Sequence, residues 1–363
     1  MRSTKVIIHL ENLKNNFIAI KKQCNNVAVC AAVKADAYGH GAIEVSKSLE
    51  DFGCDFFGVA TIYEALELIE NGIKRPIILF SLPTPTEIKD IVRLGLEPII
   101  STKEHIVLFE KQCENQKKNL NIHLKVDTGM GRIGCPPEDA LDLGKRIFNS
   151  KYLKFKGLCT HFSTSELKNQ DYTNIQLDRF KGVINQLKGS NISPKYFHAA
   201  NSGAIINNSE SIFNLVRSGI NLYGYPPTDR LTLNFEPVLE FKTQIVELKK
   251  VKKGTSISYG RTYITEEESI IATLPVGYAD GYFRALSNVG TVYINGNLYP
   301  IVGNICMDQM MVKVDDKVKL YDEVTLIGKE KDQPNAESLA EEVGTISYEI
   351  LTNIHRVKRF YNK

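Results

Sequence analysis

The sequence predicts an α/β chain, with a (β/α)8 TIM-like barrel over residues 1–234 and a C-terminal, mainly β domain over 235–363. Three observations lead there. Eight short apolar runs alternate with stretches of helical period over about 220 residues, as buried parallel strands and their crossover helices do. No G-x-G-x-x-G follows the first run, which argues against the open doubly wound sheet that gives a similar alternation. Past Tyr225-Pro226-Pro227-Thr228-Asp229 the helical stretches stop, and short strands between Gly, Asn and Asp turns take over.

The elements follow in chain order. A helix over 10–24 opens the barrel. Strands are expected at 27–33, 56–60, 76–80, 96–100, 121–126, 154–160, 196–199 and 214–218, because each is a continuous apolar or β-branched run. Apolar residues three and four apart place helices between them at 42–50, 62–71, 86–94, 103–116, 138–149 and 175–187. In the second domain strands are expected at 238–251, 269–275, 290–294, 298–302, 310–314 and 324–327. Ile294-Asn295-Gly296-Asn297 marks a hairpin, and helix returns only near 336–343.

At 363 residues the chain has room for about two domains. Lys+Arg 45 against Asp+Glu 42 gives +3, without the basic excess that phosphate contacts need, so no nucleic-acid partner is expected. No apolar run approaches the roughly 20 residues of a membrane span, so no membrane partner is expected either. The alternating start, Met1 to His9, followed by Glu11, does not read as a signal peptide. Seven widely spaced cysteines with no C-x-x-C pair point to free thiols in a cytoplasmic protein, with no metal site.

In a barrel of this kind the chemistry lies past the C-terminal ends of the strands. The first run leads into Val33-Lys34-Ala35-Asp36-Ala37-Tyr38-Gly39-His40-Gly41. Lys34 is either a turn lysine or an amine that desolvation makes nucleophilic. The fifth strand ends in Lys125-Val126-Asp127-Thr128-Gly129-Met130-Gly131-Arg132, the sixth in Thr160-His161, and the eighth runs into Arg217-Ser218-Gly219-Ile220. His161 reads equally as a core histidine, and Arg217 on its own reads first as one side of a surface salt bridge. Asn201-Ser202-Gly203 after the seventh strand opens a helix. With Ser218-Gly219-Ile220 it occupies the places where barrels build phosphate sites, although Ser202 alone could be only a cap. A lysine and a phosphate cradle on one face point to pyridoxal phosphate.

These segments resemble the alanine racemase family. The resemblance covers Val33 to Gly41, the Lys125 and Arg217 segments, and Leu222-Tyr223-Gly224. It continues in Ser258-Tyr259-Gly260-Arg261-Thr262-Tyr263, Gly277-Tyr278-Ala279-Asp280-Gly281 and Cys306-Met307-Asp308-Gln309. It implies that Lys34 holds pyridoxal 5'-phosphate and exchanges a proton on one face of the substrate, with Tyr259 acting on the other. It implies that Arg217 faces the pyridine nitrogen, with His161 bonded into the Arg217 and Tyr259 network. Tyr38, Asn201, Ser202, Gly219, Ile220 and Tyr348 would hold the cofactor, chiefly its phosphate. Arg132 and the Met307 backbone would take the substrate carboxylate, Lys125 would position Arg132, and Asp308 would lie nearby. In parts of the family this lysine is carboxylated. Tyr278 and Tyr348 would narrow the access and favour L-alanine and D-alanine over serine or basic amino acids. The resemblance further implies a homodimer with shared active sites, Tyr259, Tyr278, Met307 and Asp308 reaching the partner's cofactor, and a role in supplying D-alanine for peptidoglycan.

Overall fold

The computed structural model describes residues 3–228 and 233–362. Asp229, in the stretch where the sequence changes texture, lies outside them, as do Met1 and Arg2. Strand β1 (Lys5–His9) is followed directly by the helix Leu10–Gln23. Eight parallel strands come next: β2 (Ala28–Ala32), β3 (Phe56–Val59), β4 (Ile77–Leu79), β5 (Glu97–Ile100), β6 (Leu120–Lys125), β7 (Leu153–Cys159), β8 (Tyr196–His198) and β9 (Leu215–Ser218). They pair in the order β8-β7-β6-β5-β4-β3-β2-β9. The expected runs all form strands, within a few residues at each end, because near-continuous apolar sequence suits strands covered on both faces. Inside the barrel Cys30, Phe56, Ile78, Ile99, Cys159 and Leu215 pack together.

The β2–β9 ladder sets Cys30 opposite Arg217 and Ala31 opposite Ser218, so the segments after these two strands open side by side. Among the described residues β8 and β9 form no ladder. The seam is crossed by the Arg217 amide donating to Ala200 O at 2.9 Å. Nearly closed, the barrel gathers its strand ends at one mouth.

Several features differ from the sequence-based expectation, and three of them concern how the second domain is built. Strand β1 pairs with β10 (Leu239–Gln244) and with the strand Lys358–Asn362, so the N-terminus contributes to the sheet of the β domain. The expected strand at 238–251 is two strands, β10 and Glu247–Val251, which belong to different sheets. Helix returns twice, not once, since Ser347–Thr352 follows Ala336–Val343. The first difference has a plain cause: β1 is short, and its partners lie more than two hundred residues away, as the Thr4–Thr243 hydroxyl contact at 3.0 Å illustrates. No helix among the described residues is long and apolar enough to cross a membrane.

Candidate active site

Past β2 the backbone turns the unusual way. Ala35, Asp36, Ala37 and Tyr38 all have φ between 52 and 54°. Each non-glycine residue in this left-handed region costs roughly 1–2 kcal/mol, so the turn survives only where its surroundings determine it. They do so with four side chains. Glu64 accepts from the Ala35 amide at 2.7 Å. Asp36 accepts from the Ala42 amide at 2.8 Å and pairs with Arg359 at 2.8 Å. Arg359 also donates to Gly39 O at 2.8 Å, and His40 Nδ1 lies 3.0 and 2.8 Å from the Ala37 and Tyr38 carbonyl oxygens. The result brings Lys34 and Tyr38 together on the wall of one cleft of about 2360 Å³ at the barrel mouth. Burial, and then the nearby Arg132 cation, lower the Lys34 pKa, with Glu64 opposing.

The Tyr38 ring stacks on Tyr223 at 4.9 Å and tilts against Tyr348 at 5.9 Å. Its hydroxyl reaches the start of the β9 loop. A Cβ added at Gly219 would lie 2.7 Å from Tyr38 Oη and 3.7 Å from Ser202 Oγ, so glycine is required there. The Gly219 amide donates to Ser202 Oγ at 3.0 Å, and Asn221 Nδ2 holds Ser202 O at 2.9 Å. Asn201 caps the Ala204 amide at 3.1 Å, but the helix it begins, Ser202–Asn207, has only six residues. The cradle is therefore built from two hydroxyls and the Gly219 and Ile220 backbone rather than from a helix dipole. Its donors are of the kind that hold a phosphate.

Arg217 crosses the β8–β9 seam. Nη1 donates to His198 O at 2.8 Å and meets His198 Nδ1 at 2.9 Å. Nη2 donates to Thr160 O at 2.7 Å and Ala199 O at 3.0 Å, and meets His161 Nδ1 at 3.2 Å. All of these bonds use the terminal nitrogens, which leaves the Nε–H for a ligand in the cleft. Burial, followed by Lys125, Arg217, Arg132 and Lys34, holds the His161 pKa well below its usual range. Lys125, 6% exposed, is pushed down to about 7 by burial, with Arg217 and Arg132 adding to the shift while Cys159 and Asp127 oppose it. Arg132 rides on a loop tied by Asp127, whose carboxylate accepts from the amides of Gly129 and Met130 at 2.9 Å and of Gly131 at 3.2 Å. Burial opposes ionisation of Asp127, but these N–H groups win and keep its pKa below the usual value.

Eleven of the residues singled out in the sequence thus line this cleft: Lys34, Tyr38, Lys125, Arg132, His161, Asn201, Ser202, Arg217, Gly219, Ile220 and Tyr348. The remaining four, Tyr259, Tyr278, Met307 and Asp308, do not line it. They gather on the β domain, where Tyr259 is 75% exposed and Met307 53%. Asn304 Nδ2 donates to Tyr259 O at 2.8 Å, and the amides of Tyr278 and Ala279 donate to Cys306 O and Met307 O at 3.0 and 3.1 Å. Asp308 pairs with Arg356, which also holds Asp280 at 3.0 Å. Sequence reasoning missed Glu64, Arg359 and Asp127 as supports. It also gave no role to His198, although a histidine closing a buried strand was a visible signal.

Matches to known families add to this geometry. The family described as alanine racemase, N-terminal domain, matches residues 8–227, and its C-terminal domain matches 238–361. The chain belongs to the alanine racemase family. Like its relatives it is an enzyme of a family of pyridoxal-phosphate-dependent isomerases. The alanine racemase of Treponema denticola is 43% identical over 99% of this chain and 98% of its own length. The alanine racemase of Clostridium difficile 630 superposes with a TM-score of 0.94 at 35% identity, covering 100% of this chain and 96% of that one. The Bartonella henselae alanine racemase, solved with covalently bound pyridoxal phosphate, gives 0.90 at 31% identity over all of both chains.

Proposed function

We propose that the protein interconverts L-alanine and D-alanine, with pyridoxal 5'-phosphate attached through Lys34. The observation that carries this reading is the convergence in one cleft of an amine made less basic by burial, a cradle of hydroxyl and backbone N–H donors and a guanidinium with its Nε–H left over. When bound, pyridoxal phosphate supplies the electron sink that acidifies the substrate Cα–H bond. This chain's residues do the rest. Lys34 Nζ, its basicity tempered by burial and Arg132, takes or returns the proton on one face of Cα. Tyr38, Ser202, Gly219 and Ile220 anchor the phosphate, with Asn201 supporting Ser202 and Tyr348 packed on Tyr38. Arg217 donates to the pyridine nitrogen. A group that is always cationic there keeps the nitrogen unprotonated and limits side reactions. His161, kept neutral, accepts from Arg217.

Racemisation without turning the substrate over needs a second acid/base on the opposite face. Tyr259 of the partner subunit fits that role, and its exposure within one chain is what a residue serving another subunit would show. Met307 and Asp308 would enter with it at the substrate carboxylate, and Tyr278 would close the access with Tyr348. Arg132 binds that carboxylate from the barrel side, oriented by Lys125. An amine with a pKa of about 7 is about half in its free-base form at neutral pH, so Lys125 can add carbon dioxide and release a proton, forming a carbamate that pairs with Arg132. The working unit is then a homodimer with shared sites, each chain divided near residue 234. We place the protein in the cytoplasm, supplying D-alanine for peptidoglycan. The test is a panel of L- and D-amino acids followed by circular dichroism. Alanine should lose its signal from either enantiomer, and an inert alanine beside an active larger substrate would overturn the reading.

A further inference from the structure

The barrel interior buries a line of polar groups that this mechanism does not use. His123 and Lys125 share one face of β6 by the two-residue period of a strand. His123 Nδ1 lies 2.9 Å from His198 Nε2, and His123 Nε2 lies 2.9 Å from Glu97 Oε2. His198 Nδ1 in turn meets Arg217 Nη1 at 2.9 Å. At the far end Asn121 Nδ2 donates to Glu97 Oε1 at 2.6 Å. Both histidines are fully buried, and Glu97 is 3% exposed. Gly157 on β7 makes the space, since a Cβ there would lie 2.1 Å from His123 Nδ1.

The direction of this line is determined. A guanidinium only donates, so His198 Nδ1 must be bare. A neutral imidazole then carries its hydrogen on Nε2, which donates to His123 Nδ1. His123 is therefore bare at Nδ1 too, carries its hydrogen on Nε2, and donates to Glu97. An ionised carboxylate only accepts, so the line ends there without a conflict. We propose that Glu97 is a positioning residue for Arg217, acting through an ordered relay, Arg217 to His198 to His123 to Glu97, in which both imidazoles hold their hydrogen on Nε2. Other observations agree. Burial and the neighbouring Arg217 keep the His198 pKa well below the usual range. Burial opposes ionisation of Glu97, but His123, Asn121 and the nearby Lys156 outweigh it. Bonds in such a chain polarise one another, so the carboxylate strengthens the acceptor that steadies Arg217. The cofactor reading enters only in what Arg217 is steadied against.

The test is nitrogen-15 spectroscopy of histidine-labelled, cofactor-loaded protein, with signals assigned by single replacements of His123 and His198. Both rings should be protonated at Nε2 and bare at Nδ1. His40, whose Nδ1 faces two carbonyl oxygens, supplies the opposite tautomer in the same spectrum. A ring of the relay with hydrogen on Nδ1, or on both nitrogens, in the wild-type spectrum overturns the proposal. In Glu97→Gln the terminal group can donate as well as accept. The His198 signals should then move although residue 97 does not touch that ring, and kcat should fall about threefold or more while KM stays within about twofold. Gly157→Ala, which pushes the His123 ring without changing a charge, should shift the same signals. His198 signals unmoved in both variants overturn the relay. Failed alanine turnover beside the expected spectrum would instead count against the racemase reading and leave the relay standing.

Discussion

Lys34 is the residue on which the proposed chemistry turns, and Lys34→Ala should abolish racemisation in both directions. Borohydride treatment of the wild-type protein should fix the cofactor to the peptide containing Lys34, as mass spectrometry can check. Tyr259→Phe should leave cofactor binding intact while deuterium from heavy water enters only one enantiomer, the one whose Cα–H faces Lys34. Equal wash-in for both would remove Tyr259 from the mechanism. Lys125 carries a stability prediction. Its pKa is about 7 in the folded chain and near 10.4 when unfolded, so the unfolded chain holds the extra proton between those values and stability rises with pH across that window. Lys125→Met removes the buried charge. In buffer free of carbon dioxide its melting temperature should exceed the wild type's most clearly at pH 6, with the advantage shrinking by pH 10.

The left-handed turn after β2 is the element that aims the site. Ala35 is exposed at φ 52°, and glycine tolerates that geometry at no steric cost. Ala35→Gly should therefore raise stability to urea by about 1 kcal/mol, whereas Ala35→Val should lower it. The strands and most helices were legible because their signal is local: an apolar run of a few residues, or a repeat of three and four. The turn was not, because its sequence, Ala35-Asp36-Ala37-Tyr38, contains no glycine to announce positive φ. Its geometry is imposed by Glu64, Arg359 and His40, two of which are remote in sequence. Val246 reads as a continuation of β10 for a similar reason. The break there is set by which sheet each half joins, and both halves are equally strand-like.

At the scale of the whole molecule, the proposed function needs two chains. Mixing Lys34→Ala and Tyr259→Phe proteins under exchanging conditions tests it. In a mixed dimer one site is doubly broken and the other has both bases intact. Random exchange should restore roughly a quarter of wild-type activity for a two-fold dimer. No recovery after verified exchange would mean that each chain uses its own Tyr259.

By itself the sequence determined the barrel and the mainly β domain after it, and it named the candidate residues. The fold follows from local periodicity, and the candidates follow from their places at strand ends and from the family resemblance. The tertiary structure alone decided which of those residues meet. It placed β1 in the sheet of the other domain and divided the candidates between the cleft and an exposed face of the β domain. It also turned Glu97, His123 and His198, three polar residues in apolar strands, into one line ending on Arg217. Such contacts depend on the register of strands far apart in the chain, and no local pattern encodes a partner's register.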